Sequence, residues 1–281
     1  MSDVRLVEEE LRFKFYYKGQ FCLAYNKGCL RWGDFYLSRP NFFPVYSPSG
    51  RPVTTNCAYR YNHHRSIFIG HGKVNGVNFF HDNNPTRPNL GDIAFEGAEA
   101  ETTGTAVSLR TRNGWATKAG ERVLTERREI AWTPGDQAHV LDVSSALTPC
   151  AGDVTFEKET HAYFGIRVAD TIDVEDGGRV VNSNGQENEE GAMNQLADWV
   201  DYSGVVAGGP VGVTLMSHPS NPPSPYFVRN YGTFLSNFTL RGPYVLKAGE
   251  TLTQRFRVLI HEGRAEDVDI AGYYEEFARR T

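Results

Sequence analysis

Short apolar runs that alternate with polar residues, and that end at Gly, Pro, Asn or Asp, recur along the chain. One example is "TQRFRVLIH", in which Phe256, Val258 and Ile260 fall on one face of an extended segment. Arg255 and Arg257 fall on the other face, together with the apolar Leu259. A period of two is typical of an antiparallel strand with one buried face. The pattern predicts strands at residues 11–17, 19–26, 66–74, 105–112, 122–132, 139–147, 153–159, 163–169, 199–206, 211–218 and 252–262.

Only two segments have a helical pattern, residues 188–199 and residues 265–280. The second begins with acidic residues and ends with Arg279 and Arg280, which suits the helix dipole. Many strands with almost no alternating helices favour an all-β fold over a βαβ sheet. We therefore expect one domain, residues 1–281, built as a large antiparallel β-sandwich of jelly-roll or supersandwich type with a short C-terminal helix.

Composition narrows the partners and the compartment. The net charge is −5 and no long Lys/Arg run occurs, so a nucleic-acid or anionic-membrane partner has no electrostatic basis. No secretory signal is evident, and no apolar run approaches the roughly 18 residues needed to span a bilayer. Cys22, Cys29, Cys57 and Cys150 lack CxxC spacing, which indicates reduced thiols and a cytoplasmic protein.

Several catalytic motifs are missing from the sequence. It has no GxGxxG after a strand, no P-loop, no GxSxG and no HExxH. A nucleotide-dependent enzyme and a serine hydrolase are therefore disfavoured.

A cluster of histidines is the clearest chemical feature. Residues 62–82 contain His63, His64, His71 and His81. They could be metal ligands, acid/base groups in a sugar pocket, or polar members of a buried network. In a regular strand His63 and His64 point to opposite faces, so both can line one pocket only if the backbone bends there.

A proline-rich loop carries a second set of polar side chains. Residues 217–232 hold four prolines, which restrict the backbone around His218, Asn221, Arg229 and Tyr231. Such a loop is either a plain surface connection or a stiff support for functional groups.

Two further features have both a structural and a functional interpretation. Arg167 lies in the apolar strand 163–169, so it must pair with Asp201 or a Glu, or bind a substrate oxygen. Trp199 and Tyr202 could stack on a sugar ring, or belong to the core.

The chain contains the blocks "HHRSIFIGHGKVNGVNFF", "FGIRVAD", "ADWVDYSG" and "HPSNPPSPYFVRNYG", in the order in which one bacterial family has them. Over residues 39–278 the chain resembles the bacterial family labelled methane oxygenase PmoA-like. The resemblance implies a soluble β-sandwich and, because relatives are often encoded near sugar oxidoreductases, a role in carbohydrate catabolism. The loop here lacks the additional histidines of that family, which implies a different specificity. The matching motif positions are His63, His64, Arg65, His71, Asn75, Arg167, Asp201, Tyr202, His218, Asn221, Arg229 and Tyr231.

The leading hypothesis is a carbohydrate-active lyase or hydrolase that acts on a small-molecule glycoside or 3-keto sugar by elimination-type acid/base chemistry. His64 or His71 would be the base and His218 the acid. Tyr231 is the fourth catalytic candidate. The substrate-binding candidates are His63, Asn75, Arg167, Asp201, Tyr202, Asn221 and Arg229.

Two alternatives stay open. One is a metal-dependent enzyme with histidine ligands and a divalent metal as cofactor, although the sequence offers no tight ligand spacing. The other is a non-catalytic sugar-binding module, or a mutarotase or epimerase. The sequence does not choose between a monomer and an oligomer.

Overall fold

The computed structural model of the protein describes residues 3–28, 31–32, 35–36, 38–59, 61–82 and 87–280. The described residues are mostly β-strand. The first ten strands are β1 Val4–Glu8, β2 Arg12–Tyr17, β3 Gln20–Asn26, β4 Arg31–Trp32, β5 Phe35–Tyr36, β6 Asn41–Val45, β7 Ile67–His71, β8 Gly91–Thr102, β9 Val107–Thr117 and β10 Arg122–Thr133. The next ten are β11 Ala138–Pro149, β12 Val154–Phe156, β13 Ala162–Arg167, β14 Arg179–Asn182, β15 Trp199–Val206, β16 Gly209–Ser217, β17 Tyr226–Arg229, β18 Thr233–Ser236, β19 Tyr244–Leu246 and β20 Leu252–Glu262. The helices are α1 Asn188–Ala192 and α2 Ile270–Ala278, with 3₁₀ turns at Asp170–Ile172 and Ala265–Asp267.

Two eight-stranded antiparallel sheets form the body of the fold. Sheet 1 has the strand order β1-β2-β3-β6-β7-β13-β18-β17, and sheet 2 has the order β14-β15-β16-β20-β11-β10-β9-β8. Strands β12 with β19, and β4 with β5, make two small ribbons. The expected antiparallel β-sandwich with a short C-terminal helix is confirmed.

One continuous hydrophobic core lies between the two sheets. Phe15 from sheet 1 meets Trp132 from sheet 2 edge-on at 5.6 Å, and Phe164 stacks on Phe256 at 4.5 Å. Burial of each such side chain contributes about 2–3 kcal/mol. The alternation in β10 and β20 puts most of their apolar residues on this inner face.

The C-terminal helix covers the outer face of sheet 2. Asp269 caps α2 by accepting a hydrogen bond from the Gly272 N–H. The buried residues of the helix, Ile270 and Phe277, belong to a small cluster with Leu259. This contact explains why an apolar residue stands on the otherwise charged face of β20.

The outer face of sheet 1 carries another apolar patch, formed by Phe68, Phe80 and Leu235. Because side chains alternate along β7, Ile67 and Ile69 face the core while Phe68 faces outward. The loops around this patch carry four of the eight histidines of the chain.

No helix of the described residues is long and apolar enough to cross a bilayer. Cys22, Cys57 and Cys150 are free thiols, as predicted, and Cys29 lies outside the described residues.

Candidate functional site

A cleft of about 440 Å³ opens above the outer apolar patch of sheet 1. Its volume suits a small-molecule ligand. Its lining residues come from the loop before β7, the loop after it, the residue before β13, and the β17–β18 hairpin. They are Tyr59, Tyr61, Asn62, His63, His64, Phe80, Arg87, His161, Phe227, Tyr231 and Leu235.

A sharp turn presents the two adjacent histidines to the same cleft. The N–H of His64 donates to the Tyr61 carbonyl at 3.0 Å, and Ser66 adopts a left-handed φ of 60° just before β7 begins. The backbone therefore bends where the sequence required a bend for both His63 and His64 to face one pocket. Their ring centroids lie 4.6 Å apart.

His81 is held by its own turn. The Asn78 Oδ1 accepts hydrogen bonds from the backbone N–H groups of Phe80 at 2.9 Å and His81 at 3.1 Å. The Asn78 side-chain amide also contacts His81 Nδ1 at 3.0 Å. His81 is 3% exposed, and its Nε2 is buried without a hydrogen-bond partner among the described residues. Burial, followed by the charge of His63, lowers the pKa of His81 to about 2, so its ring is neutral.

His161 is oriented by the carboxylate two residues before it. Glu159 Oε1 accepts from the Thr160 N–H at 2.8 Å, the His161 N–H at 3.1 Å and the His161 Nδ1 at 2.9 Å. The hydrogen bond from the His161 ring is the main cause that lowers the pKa of Glu159 to about 2. Gly72 allows this approach, because a Cβ there would lie 2.9 Å from Glu159 Cγ.

His63, His81 and His161 form a cluster that could hold a metal ion. One ring nitrogen from each lies within 4.8 Å of the others. Tetrahedral Zn²⁺ at about 2.0–2.1 Å from each nitrogen needs nitrogens about 3.3 Å apart, so small ring movements would complete the site. Burial, and then the charge of Arg39, lowers the pKa of His63 to about 3, so the ring is available as a neutral ligand. The Asn78 side-chain amide contacts His81 Nδ1, and the Glu159 carboxylate contacts His161 Nδ1. Such contacts hold the rings of metal-binding histidines in place.

An aromatic and imidazole wall stands beside the cluster. His64 Nδ1 lies 2.8 Å from the buried Thr233 Oγ1. Its ring stacks on Tyr61 at 5.2 Å, and Tyr61 stacks on Tyr231 at 4.8 Å. Burial, followed by the charge of His63, holds the pKa of His64 well below its usual range. Burial likewise raises the pKa of Tyr231 to about 12, so its phenol keeps its proton.

A buried ion pair supports the cluster from behind. Arg39, which is fully buried, donates to the carbonyl of His63 at 2.6 Å and also to the Phe80 carbonyl. Asp82 pairs with Arg39 at 3.2 Å and with Arg65 at 2.6 Å. The charges are therefore paired where burial makes an unpaired charge costly, and the turns that carry His63 and His81 are tied together.

Of the predicted site residues, five lie in or beside the cleft. His63, His64 and Tyr231 line it. The guanidinium carbons of Arg167 and Arg229 lie 5.5 Å and 5.4 Å from the centre of the Tyr231 ring. Arg167 pairs with Asp170 at 2.9 Å rather than with the predicted Asp201, and Arg229 pairs with Glu189 at 3.1 Å.

The structure does not bring His71 or Asn75 to the cleft. His71 shares the inner face of β7, is fully buried, and contacts Thr239 through Nε2 at 2.9 Å. Asn75 occupies a turn with a left-handed φ of 46°, and its Oδ1 accepts from the Thr155 N–H at 2.8 Å. The expectation that they join one concavity is therefore wrong, because β7 turns His71 inward and Asn75 holds a turn.

His218 and Asn221 also lie elsewhere. His218 follows β16 of sheet 2, its Nε2 donates to the Arg280 carbonyl at 3.0 Å, and its ring packs on Phe277 of α2. Asn221 closes the same loop by bonding the Arg255 carbonyl at 2.7 Å. Both residues line a different cleft, so the predicted convergence of His218 with the histidine cluster is not met.

Asp201 and Tyr202 are sealed in the fold. Asp201 is fully buried and pairs with His261 at 2.9 Å, and Thr214 donates to it at 2.8 Å. The Tyr202 hydroxyl donates to the Arg229 carbonyl at 2.8 Å. Neither side chain lines the cleft. On β15, Asp201 points towards His261, and Tyr202 points into the core.

Sequence reasoning missed His161, Arg87 and Glu159, and it did not choose His81. A local signal was present, since a polar residue precedes each histidine in "NFFH" and "ETH". Asn78 and Glu159 lie three and two residues before their histidines. Each side chain accepts hydrogen bonds from the backbone of the turn and also contacts the histidine ring, and that spacing could have marked the turns in sequence.

The protein is an antiparallel β-sandwich with a histidine-rich cleft on the outer face of one sheet. The chain belongs to DUF6807, a family of unknown function whose model matches residues 12–275. The resemblance to the PmoA-like family was therefore wrong, since the family match is to DUF6807. The carbohydrate role implied by that resemblance loses that support. No curated protein sequence matches this chain.

Solved structures with a similar fold include three sugar-related proteins. A galactose mutarotase-like protein from Lactobacillus casei has 8% identity and a TM-score of 0.41, and the match covers 92% of this chain and 100% of that chain. A putative aldose 1-epimerase from Escherichia coli has 10% identity and a TM-score of 0.37, with 93% and 99% covered. The GH36 α-galactosidase AgaA from Geobacillus stearothermophilus has 10% identity and a TM-score of 0.42, and the match covers 93% of this chain but 40% of that one. Likenesses this distant carry no argument about the chemistry of this chain.

Proposed function

We propose that the protein is a metal-dependent enzyme that acts on a sugar held in the cleft. The observation that carries the proposal is the grouping of His63, His81 and His161, each offering one ring nitrogen within 4.8 Å of the others. Three protein ligands with an open position are typical of catalytic rather than structural metal sites. Imidazole ligands favour Zn²⁺, Fe²⁺, Ni²⁺ or Cu²⁺ over Mg²⁺ or Ca²⁺.

The unpartnered Nε2 of His81 supports a ligand role. A buried polar atom without a partner costs about 1–3 kcal/mol, and a metal ion would remove that cost. Asn78 contacts Nδ1 of His81, and Glu159 contacts Nδ1 of His161. The Nε2 atom of each ring is therefore left for the ion.

The walls of the cleft support a sugar as substrate. The stacked rings of Tyr61 and Tyr231 offer apolar faces to the C–H groups of a pyranose. Asn62 and Arg87 offer polar groups to its hydroxyls. Aromatic faces beside a few polar groups are the usual composition of a small-ligand site.

The lining argues against hydrolysis by a pair of carboxylates. Among the described residues that line the cleft, none is Asp or Glu, whereas most glycosidases place two carboxyl groups across the scissile bond. Glu159 bonds the His161 ring, and its low pKa makes it a poor proton donor.

Proton abstraction next to a carbonyl fits the lining better. A bound metal would act as a Lewis acid towards an oxygen of the substrate. His64 is neutral, and with Nδ1 near Thr233 its Nε2 is left for a substrate proton. Its low pKa makes it a weak base, so the substrate proton must itself be acidic, as it is beside the carbonyl of a keto sugar. Tyr231 keeps its proton and could return one to a leaving group. The reaction class that we propose is therefore elimination or isomerisation of a keto sugar.

Elemental analysis of protein purified without chelator tests the metal centre. We expect about one transition-metal ion per chain in the wild type and almost none in His81→Gln. His139→Gln is the matched control, because His139 is equally buried and also has an unpartnered Nε2, but belongs to no three-ligand group of the described residues. A metal-free wild type, or equal metal loss in both variants, would contradict the proposal.

NMR spectroscopy of substrates in D₂O tests the reaction. A keto sugar should exchange the hydrogen next to its carbonyl, or eliminate, with the metal-loaded protein. The same protein treated with EDTA should give neither result. Equal turnover after metal removal would refute a metal-dependent reaction, and binding without any exchange or product would favour a sugar-binding module.

A further inference from the structure

We propose that the keto-sugar substrate is also an acid, the keto form of a uronate or an aldonate, whose carboxylate binds to the Arg87 side of the cleft. This inference rests on the proposed function, because it assumes a metal ion on the three histidines. It goes further by assigning the charge of the substrate and the residue that recognises it.

The charges of the cleft are the basis of the inference. Arg87 lines the cleft, is exposed, and has no ion-pair partner within 4 Å in the described part of the chain. Arg87 lines the same cleft as His63 and His161, two of the three candidate ligands. One small molecule in the cleft can therefore contact both Arg87 and an ion held by the histidines.

The neighbouring carboxylates do not offset this charge. Glu189 pairs with Arg229 at 3.1 Å, and Asp170 pairs with Arg167 at 2.9 Å. Asp82 is fully buried between arginines behind the cluster. Glu159 bonds the His161 ring, so with a divalent ion present its single negative charge leaves the centre positive.

A neutral sugar would leave this positive charge uncompensated. Sugar hydroxyls donate hydrogen bonds readily to Asp and Glu, yet no carboxylate is found among the described lining residues. A carboxylate would neutralise the cleft instead, and the planar guanidinium of an arginine matches it with two parallel hydrogen bonds. One guanidinium fits a carboxylate better than a phosphate, for which sites usually collect several backbone N–H groups or cations.

Calorimetric binding to the zinc-loaded protein, after removal of free metal, tests the assignment. The probes are D-glucuronate, D-gluconate, D-glucose and D-glucose 6-phosphate. We expect at least one sugar acid to bind tenfold or more tightly than glucose. The identity of that acid then tells whether the carboxylate stands at C6 or at C1.

Arg87→Gln should reduce the preference to less than threefold while the metal content stays unchanged. Arg110→Gln is the control, since Arg110 is an exposed arginine on β9 of sheet 2. Glucose binding as tightly as both acids, tighter binding of the phosphate, or a full preference retained in Arg87→Gln would each overturn the inference. The metal content is measured first, so a failure of the metal centre itself is seen separately.

Discussion

Replacement of Glu159 by glutamine tests whether the carboxylate behind His161 serves the metal centre. Glu159 Oε1 accepts three N–H groups, from Thr160, from the His161 backbone and from the His161 ring. Glutamine has the same shape and can still present an oxygen to these donors. The change therefore removes mainly the negative charge. In the wild type, that charge makes the His161 imidazole a more basic ligand.

The expected loss in metal affinity follows from this geometry. Removing an outer partner of a ligating histidine typically costs 10- to 100-fold in affinity, or about 1.4–2.7 kcal/mol. The free energy of unfolding of the metal-free protein should change by only about 1 kcal/mol, because the hydrogen bonds are weakened rather than lost. A large effect on metal binding with a small effect on stability separates a role in the metal centre from a role in folding.

The assay is competition for Zn²⁺ with a chromophoric chelator at constant pH. Glu157→Gln is the matched control, because Glu157 lies two residues away and pairs with Lys73 at 2.7 Å instead of with a histidine. An affinity of Glu159→Gln within threefold of the wild type would refute the reasoning. An equal loss in Glu157→Gln would do the same, since it would show a general effect of charge.

Three further predictions concern residues outside the cluster. Burial raises the pKa of Asp173 to about 6, so the stability that this group contributes is full below its unfolded pKa near 3.8 and is lost as the pH rises through 6. Asp173→Asn should therefore gain up to about 3 kcal/mol relative to the wild type between pH 4 and pH 8 in urea titrations, and parallel pH profiles would contradict this. His218→Gln should leave metal content and sugar binding unchanged, because His218 lines another cleft; altered binding by calorimetry would refute that separation. Tyr202→Phe should lower the free energy of unfolding by about 1 kcal/mol through loss of the hydrogen bond to Arg229, and an unchanged urea midpoint would contradict this.

The sequence predicts the sandwich because alternation is a local property. In β7, Ile67 and Ile69 lie on one face and Phe68 on the other, as the alternation of side chains within a strand requires. The helical segment at 188–199 is only partly helical, since α1 ends at Ala192. The helix ends early because Met193 adopts an extended conformation, with a ψ of 128°.

The site is harder to predict, because it depends on pairing between distant strands. His161 reaches His81 only because β13 pairs with β7 in a register that sets Ala162 opposite His71. Nothing local marks that register. The same limit explains why His218 was grouped with the cluster: its proline-rich loop looks functional in sequence, yet it follows β16 of the other sheet.

The three candidate ligands lie on loops, and the proposed metal centre would therefore have no rigid helix to support it. His63, His81 and His161 each lie on a short turn near the two neighbouring strands β7 and β13, and each turn is fixed by its own hydrogen bonds. Arg39 then joins the first two turns through the carbonyls of His63 and Phe80. Because these contacts exist before an ion binds, little conformational entropy remains to be lost on binding, and the rings need only small movements to close on a metal. The outer face of sheet 1 thereby combines a hydrogen-bonded support with an open cleft.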